Sequence, residues 1–207
     1  MQQLNTKTQN QPPPFRSRPD EPRIHRFSTA EYYQMEEIGL FFGKRVELIG
    51  GEIIEMAAMN VAHATAVTLA DKLLQKIFAE NFVVRVQTPL NFSDGEEPEP
   101  DVAIVVGEAR DYSKSHPNTA ILIIEIAETS VIYDQTTKAS LYAKNGIQDY
   151  WIVNLKNRRL EIYRQPIQDS TARFGFSYSI TQILIENNFI SPLAKPEAEI
   201  AVADLLP

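Results

Sequence analysis

The chain has 207 residues, 43% of them hydrophobic and 23% charged, which is ordinary for a globular protein and enough for one domain with a substantial core. A formal net charge of -7 excludes a protein that coats nucleic acid by bulk positive charge, so any such contact must be local. The absence of cysteine removes disulfides, thiolate metal sites and cysteine nucleophiles, and leaves oxygen, nitrogen and backbone ligands.

Residues 1–22 are rich in Gln, Asn and Pro, including Pro12-Pro13-Pro14, and cannot bury enough apolar surface to offset ordering entropy. They predict a disordered tail ahead of a single domain over 23–207. Arg16, Arg18, Arg23, His25 and Arg26 form a short basic run that is either solvated or in contact with phosphate. No apolar signal core opens the chain, and apolar runs such as Ala120 to Ile124 are far shorter than the ~18 residues of a membrane span, so a cytoplasmic protein without a membrane partner is expected.

Ser28 or Thr29 caps a short predicted helix over Ala30 to Ile38. Val46 to Met56, VELIGGEIIEM, is a hairpin folded at Gly50-Gly51, with Glu47 opposite Ile54. Asn60 precedes a helix on which His63, Val67, Ala70, Leu74 and Ile77 share a face, ending near Asn81. Phe82 to Leu90 reads as a strand, SDGEEPEP as an acidic turn, and Asp101 to Val106 and Ala120 to Ala127 as further strands. A helix over Asp134 to Asn145, closed by Gly146, leads to a strand at Tyr150 to Asn154. Leu160 to Arg164 and Phe176 to Ile180 read as peripheral strands, while Ile183 to Pro207 carries no clear pattern. The order predicts an α/β fold with a mixed central sheet flanked by helices and preceded by a β-hairpin.

Glu125 interrupts the run Ile121-Leu122-Ile123-Ile124 and Ile126-Ala127, so its strand is apolar on both faces. Either it emerges into solvent at the strand's end, or it is neutralised by a proton, a cation or a metal, because desolvating an ion costs several kcal/mol. Asp101 opens its strand after Pro100, where it belongs either to the solvated acidic turn with Glu96, Glu97 and Glu99 or to a site shared with Glu125. Two converging carboxylates repel unless a cation lies between them, and hard oxygens suit Mg²⁺ or Mn²⁺. Lys138 shares a helix face with Leu141 and Tyr142, either paired to a carboxylate or with its head in water; Lys144 lies on another side and reads as solvated. Tyr142, Tyr150 and Trp151 read as packing residues. His63 reads as a core histidine or a substrate or outer-shell contact, and Gln87 as an incidental strand glutamine or a hydrogen-bond partner of a water on the metal. His25 and His116 have no supporting pattern, and no phosphate-cradling glycine motif is present.

Asp101, Glu125 and a nearby lysine resemble the active site of the PD-(D/E)XK nuclease superfamily. The chain is most similar to a branch described as putative restriction endonucleases, through VELIGGEIIEM, PDVAIVV, IIEIAETS, the D-x-x-x-K-x-x-x-Y spacing from Asp134 to Tyr142, and GIQDYWIV. The resemblance covers roughly Phe27 to Arg164 and implies a Mg²⁺-dependent endonuclease acting on DNA, with a homodimer attractive for cutting paired strands. It implies that Asp101, Glu125 and the carbonyl of Ile126 hold the metal, that Lys138 acts beside them, and that Glu47 supplies a further acidic group, unless Glu47 is a surface residue. The superfamily usually places its lysine two residues after the glutamate, where this chain has Ala127; Lys138, displaced to the following helix, is the natural substitute. The competing implication is a nuclease-fold dimer that no longer cuts and binds nucleic acid or regulates. A third reading, a metal-dependent hydrolase of another phosphate ester, also fits the same residues.

Overall fold

The computed structural model describes residues 22–207; the expected tail lies, but for Pro22, outside them. Helix α1 spans Thr29–Glu37 and starts where expected, because Ser28 and Glu31 form a reciprocal capping box: Glu31 N–H donates to Ser28 Oγ at 3.2 Å and Ser28 N–H to Glu31 Oε2 at 2.8 Å. Strands β1 (Val46–Ile49) and β2 (Glu52–Glu55) pair with Glu47 opposite Ile54, and Gly50 and Gly51 adopt φ of 58° and 75°, as a two-residue hairpin of this hand requires. Helix α2 covers Val61–Ile77, capped by Asn60, and stops at Phe78 rather than near Asn81.

The central sheet has six strands in the order β3-β4-β5-β6-β7-β8, comprising Phe82–Val86, Val102–Val106, Leu122–Ala127, Asp149–Asn154, Arg159–Gln168 and Phe176–Ile185. Only β5 and β6 run parallel, so the sheet is mixed, and β5 lies inside it with every residue buried. Strand β3 ends before the predicted Leu90, because Gln87 turns the chain with a φ of 49°. Strands β7 and β8 extend well beyond their expected lengths and pair over most of them.

The β5-to-β6 crossover begins earlier than the predicted Asp134: α3 (Val131–Tyr133) runs into a π-helical turn, Asp134–Lys138, and then α4 (Ala139–Lys144). One core packs α2 and Val202, Leu205 and Leu206 against one face of the sheet; the other packs Leu141, Tyr142 and hairpin residue Ile49 against the opposite face. The patternless C-terminal stretch pairs β9 (Phe189–Ile190) with β10 (Ile200–Ala201) and ends in a short 3₁₀ turn. Among the described residues no helix is long and apolar enough to cross a membrane.

Candidate active site

The antiparallel register of β4 and β5 pairs Val102 with Ile124, which sets Asp101 opposite Glu125 at the mouth of the ladder. Each strand's backbone holds the other's carboxylate: Ile126 N–H donates to Asp101 Oδ2 at 2.8 Å, and Asp101 N–H to Glu125 Oε2 at 3.3 Å. Both side chains are buried. The alternative in which either carboxylate stands free in solvent is therefore not what the fold builds.

Lys138 reaches them from the crossover helix. Its stem and ammonium are 1% exposed, with Nζ 2.6 Å from Glu47 Oε2 and 3.1 Å from Glu125 Oε1. Glu47 is thus a buried partner of the lysine, placed by the hairpin, and not a surface residue. The π turn ends at Lys138; such one-turn irregularities in helices commonly mark functional positions. Tyr142, one helical turn on, donates its hydroxyl to Glu125 Oε1 at 2.5 Å, so it does more than pack.

Burial pushes the Glu47 carboxyl up to about 7, with Lys138 pulling against it and Glu125 adding to it. Burial likewise raises Glu125, opposed by Lys138 and reinforced by Asp101. Lys138 moves the other way from what burial would do: its carboxylate neighbours, Glu125 first, hold the ammonium far above the lysine range, so it remains a fixed positive charge. Asp101 is lowered despite its burial, because hydrogen bonds from His63, Gln87 and the Ile126 amide favour its ionised form.

His63 and Gln87 both act on Asp101. Asn60 caps α2 by accepting from His63 N–H at 2.9 Å, and from that first turn His63 Nε2 lies 2.9 Å from Asp101 Oδ1. Gln87 Nε2 donates to the same oxygen at 3.0 Å. Burial lowers the His63 pKa, but the Asp101 contact outweighs it and the net shift is upward. Neither residue fills the role of an apolar-core histidine or an incidental strand glutamine.

Sequence reasoning misses Asp134. It is 3% exposed, its Oδ2 accepts from Ser130 Oγ at 2.6 Å, and it lines the same cavity as Glu47, Asp101 and Glu125. Burial first, then Glu125, raises its carboxyl to about 8. The four-residue spacing of Asp134, Lys138 and Tyr142 was the available signal, since it puts all three on one helix face. The acidic turn also differs from expectation. Glu96 and Glu97 are buried, Glu96 bound by Lys144 and Asn145 and Glu97 by the Tyr33 hydroxyl, while Lys144 is itself exposed, as expected, and pairs with the turn from the surface.

The cavity, about 90 Å³, opens between the start of α2 and the crossover. Six carboxyl groups, those of Glu47, Glu99, Asp101, Glu125, Glu128 and Asp134, line it beside Arg45 and His63, and their hard oxygens are the kind of donor that a divalent cation takes. Among the described residues no three His, Asp or Glu side chains form a preformed cage for an ion. Mg²⁺ and Mn²⁺ take one or two carboxylates and complete their shells with water and substrate phosphate, a pair of ligands that Asp101 and Glu125 could supply.

A family model described as Uma2, putative restriction endonuclease, matches residues 29–203. The chain belongs to the Uma2 family. The matched span contains Glu47, His63, Asp101, Glu125, Asp134, Lys138 and Tyr142, so the whole cluster lies within the part that defines an Uma2 protein. The fold is shared with the crystal structure of a putative nuclease belonging to DUF820 from Anabaena variabilis ATCC 29413, at a TM-score of 0.59 and 13% identity over 78% of this chain and 89% of that one. Both establish a restriction-endonuclease-like fold for this Uma2 chain. No curated protein matches its sequence.

Proposed function

We propose that this chain is a Mg²⁺-dependent endonuclease, able to use Mn²⁺, that hydrolyses phosphodiester bonds of DNA, with residues 23–207 forming its single nuclease domain. The observation that carries the proposal is the reciprocal pairing of Asp101 and Glu125 across β4 and β5 with the Lys138 ammonium 3.1 Å from Glu125. Asp101, Glu125 and the carbonyl of Ile126 would hold the metal. When bound, the cation lowers the pKa of a water and polarises a phosphoryl oxygen.

The chain's own groups supply the rest. Lys138 is held protonated by Glu125 and Glu47, so it serves as a preorganised charge for the negative charge that develops at phosphorus and not as a base. Glu47 fixes its position. His63 and Gln87 keep Asp101 ionised and oriented through its Oδ1, in the manner of partners that tune metal ligands. Tyr142 orients Glu125 in the same way. A cytoplasmic homodimer would bring two such centres to the two strands of a duplex.

The test is nicking of supercoiled plasmid by the purified chain in Mg²⁺, with EDTA as control and Asp101→Asn and Glu125→Gln beside it. The wild type should nick, and each variant should lose ~100-fold or more in rate while remaining folded. Cutting that survives in both variants would refute the assignment. Retention of DNA without Mg²⁺-dependent turnover would leave a binding module on the same fold.

A further inference from the structure

Five large apolar side chains stand in water on two segments, the turn that leads into β1 and the stretch that leads into α2. Ile38, Leu40 and Phe42, 80%, 58% and 94% exposed, project from the turn between α1 and β1; Met59 and Val61, 38% and 83% exposed, lie where the chain enters α2. The turn is held by backbone hydrogen bonds. Leu40 N–H donates to Met35 O at 2.9 Å, Phe42 N–H to Gly39 O at 3.1 Å and Lys44 N–H to Phe41 O at 2.9 Å. Phe41 turns inward against Tyr32, their ring centroids 5.4 Å apart. Its neighbours are thereby held outward, where their apolar surface adds nothing to the stability of the fold.

The turn adjoins the candidate site directly. Arg45 and Glu99 line both the active-site cavity and the hollow beside Phe41 and Phe42. Met56 N–H donates to Arg45 O at 2.8 Å, which fastens the segment leading to Met59 alongside the turn, and Met59 lines the active-site cavity as well.

We infer that the turn Ile38 to Phe42 is a base-stacking wedge, Phe42 foremost, that grips the bases of the nucleic acid whose backbone is presented to Asp101 and Glu125. This rests on the nuclease reading above. Position favours nucleic acid over a second copy of the chain, because Met59 lines the active-site cavity and Arg45 and Glu99 line both it and the hollow beside Phe42, so a subunit seated here would crowd the substrate. Lys44 and Arg45 follow Phe42, and the exposed pair of Lys44 with Glu55, 2.7 Å apart, is of the weak kind that exchanges readily for a single phosphate next to a stacked base. The exposed Glu36, Glu37 and Glu55 prevent this surface from tracking a phosphate backbone along its length. Grip must therefore come from the bases, by insertion or stacking of apolar side chains.

The test measures oligonucleotide binding by fluorescence anisotropy, with Ca²⁺ in place of Mg²⁺ so that the strand is not consumed. Phe42→Ala, with an unchanged melting temperature, should weaken binding between ~5-fold and ~150-fold, the range for loss of one base stacked on an aromatic ring. Phe42→Trp should bind, and its emission should fall on adding the oligonucleotide; the native Trp151 is fully buried and should not respond. Wild-type affinity in Phe42→Ala or an unquenched Trp, in a protein that still nicks plasmid, would overturn the wedge and leave the nuclease reading standing. Failure of the wild type to bind or cut any nucleic acid would overturn both. A wild-type dimer that Phe42→Asp converts to monomer in sedimentation would make the turn a subunit contact and overturn the wedge.

Discussion

Replacing Lys138 with methionine keeps an unbranched stem of similar volume and deletes the ammonium that lies 2.6 Å from Glu47 Oε2 and 3.1 Å from Glu125 Oε1. Removing one partner of a buried ion pair costs ~3–5 kcal/mol, because the remaining charge is left without compensation. Against a total stability on the order of 5–15 kcal/mol, that loss brings the fold near its threshold. The penalty depends on pH. Burial raises Glu47, to about 7, and Glu125, and without Lys138 nothing opposes that rise, so a falling pH relieves the unpaired charge and the variant should be hurt more at pH 8 than at pH 5. The triple variant Lys138→Met, Glu47→Gln, Glu125→Gln removes all three charges and should recover most of the loss, since neutral replacements of buried pairs are often close to neutral in stability. Urea unfolding followed by Trp151 fluorescence at both pH values measures each variant. A loss below ~1 kcal/mol for the single variant at pH 8 is what an exposed pair would give and would refute a buried lysine. A triple variant no more stable than the single one would show that packing of the stem, not charge, sets the cost.

In EDTA the wild type should lose stability as pH rises from about 4 to about 8. Asp134 is raised from 3.8 to about 8, by burial and then by Glu125, so between these values the folded state keeps a proton that the unfolded chain has released. Stability present below the unfolded value is lost on approach to the folded one, by up to ~1.4 kcal/mol for each pH interval of one crossed between them. Thermal melts at pH 5, 6, 7 and 8 check this, and a melting temperature that stays level or rises to pH 8 would contradict it. His63→Ala should weaken Mg²⁺ binding by ~10-fold to ~100-fold in titration calorimetry, through loss of the 2.9 Å contact with Asp101; an unchanged affinity would detach His63 from the site.

The parts of the site that were legible in the sequence are those that break a local rule. Glu125 sits in an apolar strand, Asp101 follows a proline at the start of another, and Lys138 lies on the inward face of its helix; each conflicts with its immediate neighbours and can be seen without knowing the fold. Glu96 and Glu97 read as solvated because no cation lies close to them in sequence. Their partners, Lys144 and Tyr33, lie 48 and 64 residues away. The hairpin register placed Glu47 opposite Ile54 correctly, but its burial depends on the crossover helix that covers it, a tertiary fact. The stretch after Ile183 had no period to read because it is tied down by distant groups: Arg164 donates to Ser191 O at 2.7 Å, and Leu193 N–H to Asp149 Oδ2 at 2.8 Å.

A lysine carried on the crossover helix instead of on β5 fits the same geometry. A lysine two residues after Glu125 would share its face of β5, since strand side chains alternate. That position is Ala127, fully buried in the cluster that also holds Ala139 and Val131 of the crossover. A long cationic side chain there would meet the helix that packs on the strand. Lys138 comes from that helix, one residue before Ala139, and approaches Glu125 from above instead of from the strand. With small side chains at 127 and 139 the helix can lie close to the sheet, and this close approach brings the ammonium within 3.1 Å of Glu125. Ala127 and Lys138 therefore belong to one solution. Placing a lysine at 127 while keeping Lys138 would put two ammonium groups and a helix into space that the fold has filled once.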